Sequence, residues 1–71
     1  MPYGLTERQY EALSLALSRG YYEQPRQTTA QELADELGIS QPSVSDLLNR
    51  AESQLISATL GPSPRLEPLA Q

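Results

Sequence analysis

The chain has 71 residues, of which nine are acidic and five are basic, so its formal net charge is −4. A chain of this length has room for one domain with a thin core. It contains neither cysteine nor histidine, which excludes disulfides, thiolate metal sites and histidine-based catalysis.

Membrane and secretion segments are not predicted. No apolar run approaches the roughly 20 residues that cross a bilayer, and residues 1–20 lack the basic start and apolar centre of a secretion signal. We therefore expect a cytoplasmic protein with no membrane contact. We also expect it to bind no cofactor.

The basic residues are all arginine, with no lysine. We interpret this bias, together with the acid excess, as suited to a cytoplasm of very high salt, where screening shortens to a few ångströms. Local contacts then count for more than net charge, so the charge of −4 does not by itself exclude a polyanionic partner.

The first predicted helix begins at Glu7. Thr6 suits the N-cap position, and Gln9 completes a capping box with it. Leu5 precedes the cap and is placed to staple onto Tyr10. The sequence therefore predicts a well-defined helix start.

The buried face of this helix is predicted from apolar residues at three-and-four spacing. These are Tyr10, Leu13, Ala16 and Leu17, with Ala12 and Leu15 at the margin. Gly20 is a natural left-handed stop, so the helix should end near Arg19. Residues 21–28 then form a connector, because Pro25 interrupts any helix. We expect the tyrosines to complete the core rather than stack on bases: Tyr10, Tyr21 and Tyr22.

The second predicted helix follows Thr29, which forms a capping box with Glu32. Its apolar residues share one face: Leu33, Ala34 and Leu37. Gly38 ends this helix after about two turns.

The third predicted helix is capped by Ser40 and tolerates Pro42 in its first turn, where the missing amide would be unpaired anyway. Its long apolar stripe makes it the longest element: Val44, Leu47, Leu48, Ala51, Leu55 and Ala58. Residues 61–71 contain three prolines and no helical period, which predicts a disordered tail.

Residues 30–49 have the pattern of a helix-turn-helix motif. Ala34 is small where two helices would cross, and Gly38 can take positive φ in the turn. Apolar residues lie on both sides of the turn: Leu33, Leu37, Ile39, Val44 and Leu47. The sequence thus predicts an all-α, three-helix helix-turn-helix domain over residues 5–60, with a long third helix and a disordered C-terminal tail.

Three segments carry a family resemblance: LTERQ at 5–9, GYYEQPR at 20–26, and TTAQELADELGISQPSVSDLLNRAESQLI at 28–56. They resemble the helix-turn-helix domain of the haloarchaeal bacterio-opsin activator family and, more distantly, the promoter-binding domain of sigma factors. The resemblance implies a DNA-binding transcription regulator whose second motif helix enters the major groove. The family usually carries this domain at the end of a longer sensor protein. Its recognition helix usually begins with basic residues, where this chain has Gln41 and Pro42.

Candidate DNA-contacting residues lie off the apolar stripe of the third helix, which spans about 41–58. They are Gln41, Pro42, Ser43, Ser45, Asp46 and Asn49. Gln41 and Asn49 have the paired donor and acceptor that match adenine. Ser45 can bond to several bases, and Asp46 can accept from a cytosine amine. Taken singly, each is explained equally well as a solvated surface residue.

Arg50 and Arg26 are the predicted phosphate contacts. Either arginine can instead pair with a nearby carboxylate, and Arg50 lies four residues after Asp46, the spacing of a helical ion pair.

The C-terminal half of the third helix has more apolar surface than a minimal core needs: Leu55, Ile56, Ala58 and Leu60. We expect a homodimer through this region, since paired motifs contact two half-sites about one DNA turn apart. The alternative is that Leu55 merely covers the first helix.

A second function remains open: a helix-turn-helix fold used as a protein interaction module that modulates another transcription factor or polymerase. Its surface would be acidic: Glu32, Asp35 and Glu36. The same residues are otherwise a solvated helix face. No enzymatic activity is predicted, because the carboxylates lie on exposed helix faces without a pocket.

Overall fold

The computed structural model describes residues 2–61, which form three α-helices: α1 (Glu7–Ser18), α2 (Ala30–Leu37) and α3 (Gln41–Leu60). A short 3-10 helix, Pro2–Gly4, precedes α1. α3 packs against α1, α2 and the 3-10 helix, and α1 also contacts α2. The predicted all-α, three-helix architecture with a long third helix is confirmed. The predicted tail spans residues 61–71, and all of it except Gly61 lies outside the described residues.

Both predicted capping boxes are formed. At α1, the Thr6 hydroxyl accepts from the Gln9 amide at 3.1 Å, and the Gln9 side chain accepts from the Thr6 amide at 3.1 Å. At α2, the Thr29 hydroxyl accepts from the Glu32 amide at 3.1 Å, and the Glu32 carboxylate accepts from the Thr29 amide at 3.2 Å. These bonds satisfy amides that have no partner within the helix.

The turn between α2 and α3 depends on Gly38, which has φ 73° and ψ 30°. The Ile39 amide donates to the Ala34 carbonyl at 3.1 Å, and this bond closes the end of α2. Ser40 then caps α3 by accepting from the Ser43 amide at 3.3 Å. Glycine takes this left-handed conformation without the strain that a side chain brings, so one residue sets α3 across α2.

The core lies where the three helices meet. Its buried residues are Leu5, Ala12, Leu13, Ala16, Leu33, Ala34, Val44, Leu48 and Ala51. Each helix has at least one fully buried alanine: Ala12 and Ala16 in α1, Ala34 in α2 and Ala51 in α3. Small side chains let helix backbones approach closely, so these alanines allow α1 and α2 to pack onto α3.

The predicted buried face of α1 was partly wrong. Tyr10 is 43% exposed and Leu17 is 60% exposed. Leu13 and Ala16 are buried as predicted, together with Ala12, which was expected only at the margin of this face. Three-and-four spacing fits two overlapping faces of α1. Packing onto α3 buries the face with Ala12, Leu13 and Ala16 and leaves Tyr10 and Leu17 exposed.

Two further core predictions are corrected. Tyr22 is exposed, whereas Tyr21 is half-buried and packs against the core. Ala58 is exposed, because the buried residues of α3 end at Ala51 and only Leu55 beyond it packs against the core. Within residues 2–61, no helix is both long and apolar enough to span a membrane.

Candidate nucleic-acid interface

The connector between α1 and α2 folds back on itself. The Tyr21 amide donates to the Ala16 carbonyl at 2.9 Å, and the Gln27 amide donates to the Gly20 carbonyl at 3.0 Å. Gly20 has φ 82°, and a Cβ there would lie 2.7 Å from the Gln27 Cβ. This close approach brings the end of the connector back to Gly20, where the connector begins, and places Arg26 beside Tyr21.

Aromatic contacts order the connector, and a hydrogen bond joins it to α3. The Tyr21 and Tyr22 rings meet edge to face with centroids 5.1 Å apart, and the Arg26 guanidinium lies 4.3 Å from the Tyr21 ring centroid. The Tyr22 hydroxyl donates to the Glu52 carboxylate of α3. Although Tyr22 is exposed at 39%, the partial burial of its side chain, reinforced by this hydrogen bond, raises its pKa, so its hydroxyl remains a donor. Arg26 is thereby positioned next to α3.

All eight predicted contact residues are exposed: Gln41, Pro42, Ser43, Ser45, Asp46, Asn49, Arg50 and Arg26. With 3.6 residues per turn, those on α3 follow two edges of its exposed N-terminal part. One edge has Gln41, Ser45 and Asn49. The other has Ser43, Asp46 and Arg50, and Pro42 lies between the edges.

The connector faces the first edge. Arg26 and Tyr21 share an open hollow with Gln41 and Ser45. A neighbouring hollow also contains Arg26 and joins Ser45 to Asn49. The fold therefore brings Arg26 together with three of the predicted base-contacting residues.

The second edge faces α1, which the sequence analysis did not include in the site. Arg8 shares an open hollow with Pro42, Ser43 and Asp46. Nothing in the local sequence marks Arg8 for this position, since it depends on how α1 crosses α3.

Two of the predicted contact residues have partners within α3, and a third bonds to its cap. The Arg50 Nε lies 2.9 Å from an Asp46 carboxylate oxygen, and both side chains are more than half exposed. The pairing alternative for Arg50 is thus formed, but an exposed pair of this kind is weak and can give way to a stronger partner. The Ser43 hydroxyl lies 2.8 Å from the Ser40 hydroxyl at the helix cap.

Acidic residues lie both beside α3 and away from it. The eight contact residues include two arginines and one aspartate, but Glu32 and Glu52 line the hollows that Arg26 shares with α3. A further hollow, between α1 and α2, contains Glu7, Glu11 and Glu36 together with Arg8. Arg19 donates to Glu36 through its Nε at 3.1 Å, and this hydrogen bond lowers the pKa of Glu36.

Residues 5–57 match the model of a family described as HTH DNA binding domain. A Haloferax volcanii protein named as a transcriptional regulator is 50% identical over 52 residues, which make up 73% of this chain and 9% of the relative. The dimethyl sulfoxide reductase transcriptional activator of Haloferax volcanii is 46% identical over 54 residues, or 76% of this chain and 25% of the relative. Its namesake in Halobacterium salinarum is 43% identical over 54 residues, or 76% of this chain and 24% of that protein.

The chain spans about a quarter or less of the length of these curated relatives. No solved structure matches it at a significant level. The family model nevertheless covers α1, α2, the turn at Gly38 and α3 as far as residue 57. The chain therefore belongs to the bacterio-opsin activator type of helix-turn-helix DNA-binding domains found in haloarchaeal transcriptional regulators.

Proposed function

We propose that this chain binds double-stranded DNA as the DNA-binding domain of a transcription regulator, with the N-terminal half of α3 in the major groove. The observation that carries the proposal is the exposed polar front of α3, which the Gly38 turn sets across α2. A major groove about 12 Å wide accepts one α-helix. The names of the relatives support a role in transcription regulation.

Base contacts come from both edges of α3. Gln41 and Asn49 offer the donor and acceptor pair that matches adenine, and Ser45 lies between them on the same edge. On the other edge, Asp46 accepts from a cytosine amine. Pro42 and Ser43 complete the exposed surface of this part of α3. The exposure of all six side chains supports this assignment.

Phosphate contacts come from Arg26 and Arg50. Arg26 is held by the Tyr21 ring beside Gln41 and Ser45, so its guanidinium is positioned at the border of the α3 surface. Arg50 exchanges its exposed pair with Asp46 for a phosphate. We propose a binding module rather than an enzyme, consistent with carboxylates that lie on exposed helix faces.

The C-terminal half of α3 is proposed to pair with a second copy of the chain. Ile56 is 54% exposed and Leu60 is 66% exposed, which leaves apolar surface beyond the core. A symmetric dimer places two α3 helices on half-sites about one DNA turn apart. Sizing of the DNA complex tests this part: a mass of two chains per duplex supports it, and one chain per duplex contradicts it.

A titration of fluorescently labelled duplex DNA at several salt concentrations tests DNA binding. We expect saturable binding that weakens as salt rises. Selection of bound duplexes from a random pool then identifies the preferred sequence. Gln41→Ala or Asn49→Ala should change the preferred base at one position, whereas Arg50→Ala should weaken binding to all sequences alike.

A second candidate function is an interaction with a protein of the transcription machinery. The acidic hollow between α1 and α2 favours it, since Tyr10, Leu15 and Leu37 add apolar surface beside Glu11 and Glu36. An apolar, basic segment of a partner would suit such a surface. Absence of saturable DNA binding at every salt concentration would favour this function over the first.

A further inference from the structure

A second arginine lies beside α3 on the flank opposite Arg26. Arg8, in the first turn of α1, shares a hollow with Pro42, Ser43 and Asp46. Arg26 shares its hollows with the other edge of α3. One arginine therefore stands on each side of the helix surface that is proposed to enter the groove.

The arginines among the described residues differ in how closely their guanidinium groups are paired with carboxylates. Arg19 donates twice to Glu36, and Arg50 pairs with Asp46 at 2.9 Å. Arg8 is separated from a Glu11 carboxylate oxygen by 4.0 Å, and both side chains are more than half exposed. So loose a pair contributes little to stability, and its guanidinium can turn to a phosphate at small cost.

The charges around Arg8 show why a cation is needed on this flank. Its acidic neighbours are Asp46, which shares one hollow with it, and Glu7, Glu11 and Glu36, which share with it the hollow between α1 and α2. Asp46 is already paired with Arg50, but without Arg8 the Glu11 carboxylate would face the DNA backbone without its partner and repel it. With Arg8 present, a phosphate on this side gains a charge-assisted hydrogen bond.

We propose that Arg8 binds a DNA phosphate on the side of the major groove opposite the phosphate bound by Arg26, so that the two arginines hold α3 in the groove from both flanks. This inference rests on the proposed DNA-binding function. It assigns to α1 a direct role in DNA binding, in addition to its part in the core. Because a phosphate contact carries no base information, Arg8 contributes affinity and orientation rather than sequence preference.

The salt dependence of binding to a mixed-sequence duplex tests the proposal. Arg8→Gln should make the plot of log affinity against log salt shallower by about 0.9, the change expected for one lost phosphate contact. Arg8→Lys keeps the cation and should retain the wild-type slope. Arg19→Gln is the matched control, since it makes the same charge change at a residue that lines neither flank hollow, and it should leave the slope unchanged. Thermal melts followed by circular dichroism establish that each variant is folded at the titration temperature.

The outcomes separate this inference from the function on which it rests. A wild-type chain that binds no duplex at any salt concentration refutes both. A wild-type chain that binds, together with an Arg8→Gln slope equal to that of wild type or of Arg19→Gln, refutes only the role of Arg8. A uniform loss of affinity without a change in slope also refutes it, because that result indicates a structural role.

Discussion

Replacing Gly38 tests the turn that sets α3 across α2. Gly38 has φ 73° and ψ 30°, and apart from Gly38 itself and its two chain neighbours no heavy atom lies within 4 Å of the position that a Cβ would occupy. A side chain therefore meets no steric obstacle there. Any loss of stability on substitution must come from the left-handed backbone itself.

The magnitude follows from the known cost of this conformation. An L-residue in the left-handed region costs about 1–2 kcal/mol relative to its preferred conformations. The whole domain is expected to be stable by only about 5 kcal/mol, so Gly38→Ala should lower its melting temperature by about 4–16 °C. Gly38→Asn should cost less, since asparagine tolerates this region, and Gly38→Val should cost more, since its branched Cβ does not.

Urea unfolding followed by circular dichroism measures these differences. The predicted order of stability is wild type, then Gly38→Asn, Gly38→Ala and Gly38→Val. An alanine variant as stable as wild type would refute the reasoning, because the turn would then not require positive φ. A valine variant as stable as the alanine variant would also refute it, because a branched Cβ should make the left-handed backbone conformation more costly.

Three other changes have definite expected outcomes. Leu48→Ala removes a buried side chain from the centre of α3 and should lower the free energy of unfolding by about 2–5 kcal/mol in urea titrations; a loss like that of an exposed residue would contradict the core assignment. Asp46→Asn removes a carboxylate from the proposed DNA surface and releases Arg50, so affinity for mixed-sequence duplexes, in which its cytosine contact is rarely made, should rise in a fluorescence titration; unchanged affinity would argue against that surface. Glu36 has a pKa below its ordinary value of 4.5 because Arg19 donates to it. The pair with Arg19 therefore stabilises the fold at neutral pH, and this contribution is lost as pH falls through the lowered pKa of Glu36. Glu36→Gln should then make the free energy of unfolding fall less steeply below about pH 4.5. The same fall in the variant as in wild type would contradict this pairing.

The helix boundaries could be predicted from the sequence because they depend on local chemistry. Thr6 and Thr29 each bond to a residue three positions later, and Gly38 ends α2 through its own backbone conformation. Such features need no knowledge of the tertiary structure. The buried face of α1 does need it, which is why Tyr10 and Leu17 were wrongly placed in the core.

The candidate site was predictable only where it lies on one helix. The exposed residues of α3 follow from the apolar stripe on its other side, so their exposure could be predicted. Arg8 could not be found in this way, since it approaches Asp46 only through the packing of α1 on α3. The contact of Arg26 with Tyr21 likewise depends on the folded connector.

A nuclear magnetic resonance titration of the isotope-labelled chain with duplex DNA shows directly which surface binds. If α3 enters the major groove, the largest shifts of backbone amide signals fall in the N-terminal half of α3 and at Arg26, with little change around Glu36. Shifts confined to the acidic hollow between α1 and α2, with α3 unaffected, would contradict the claim that the exposed front of α3 contacts DNA.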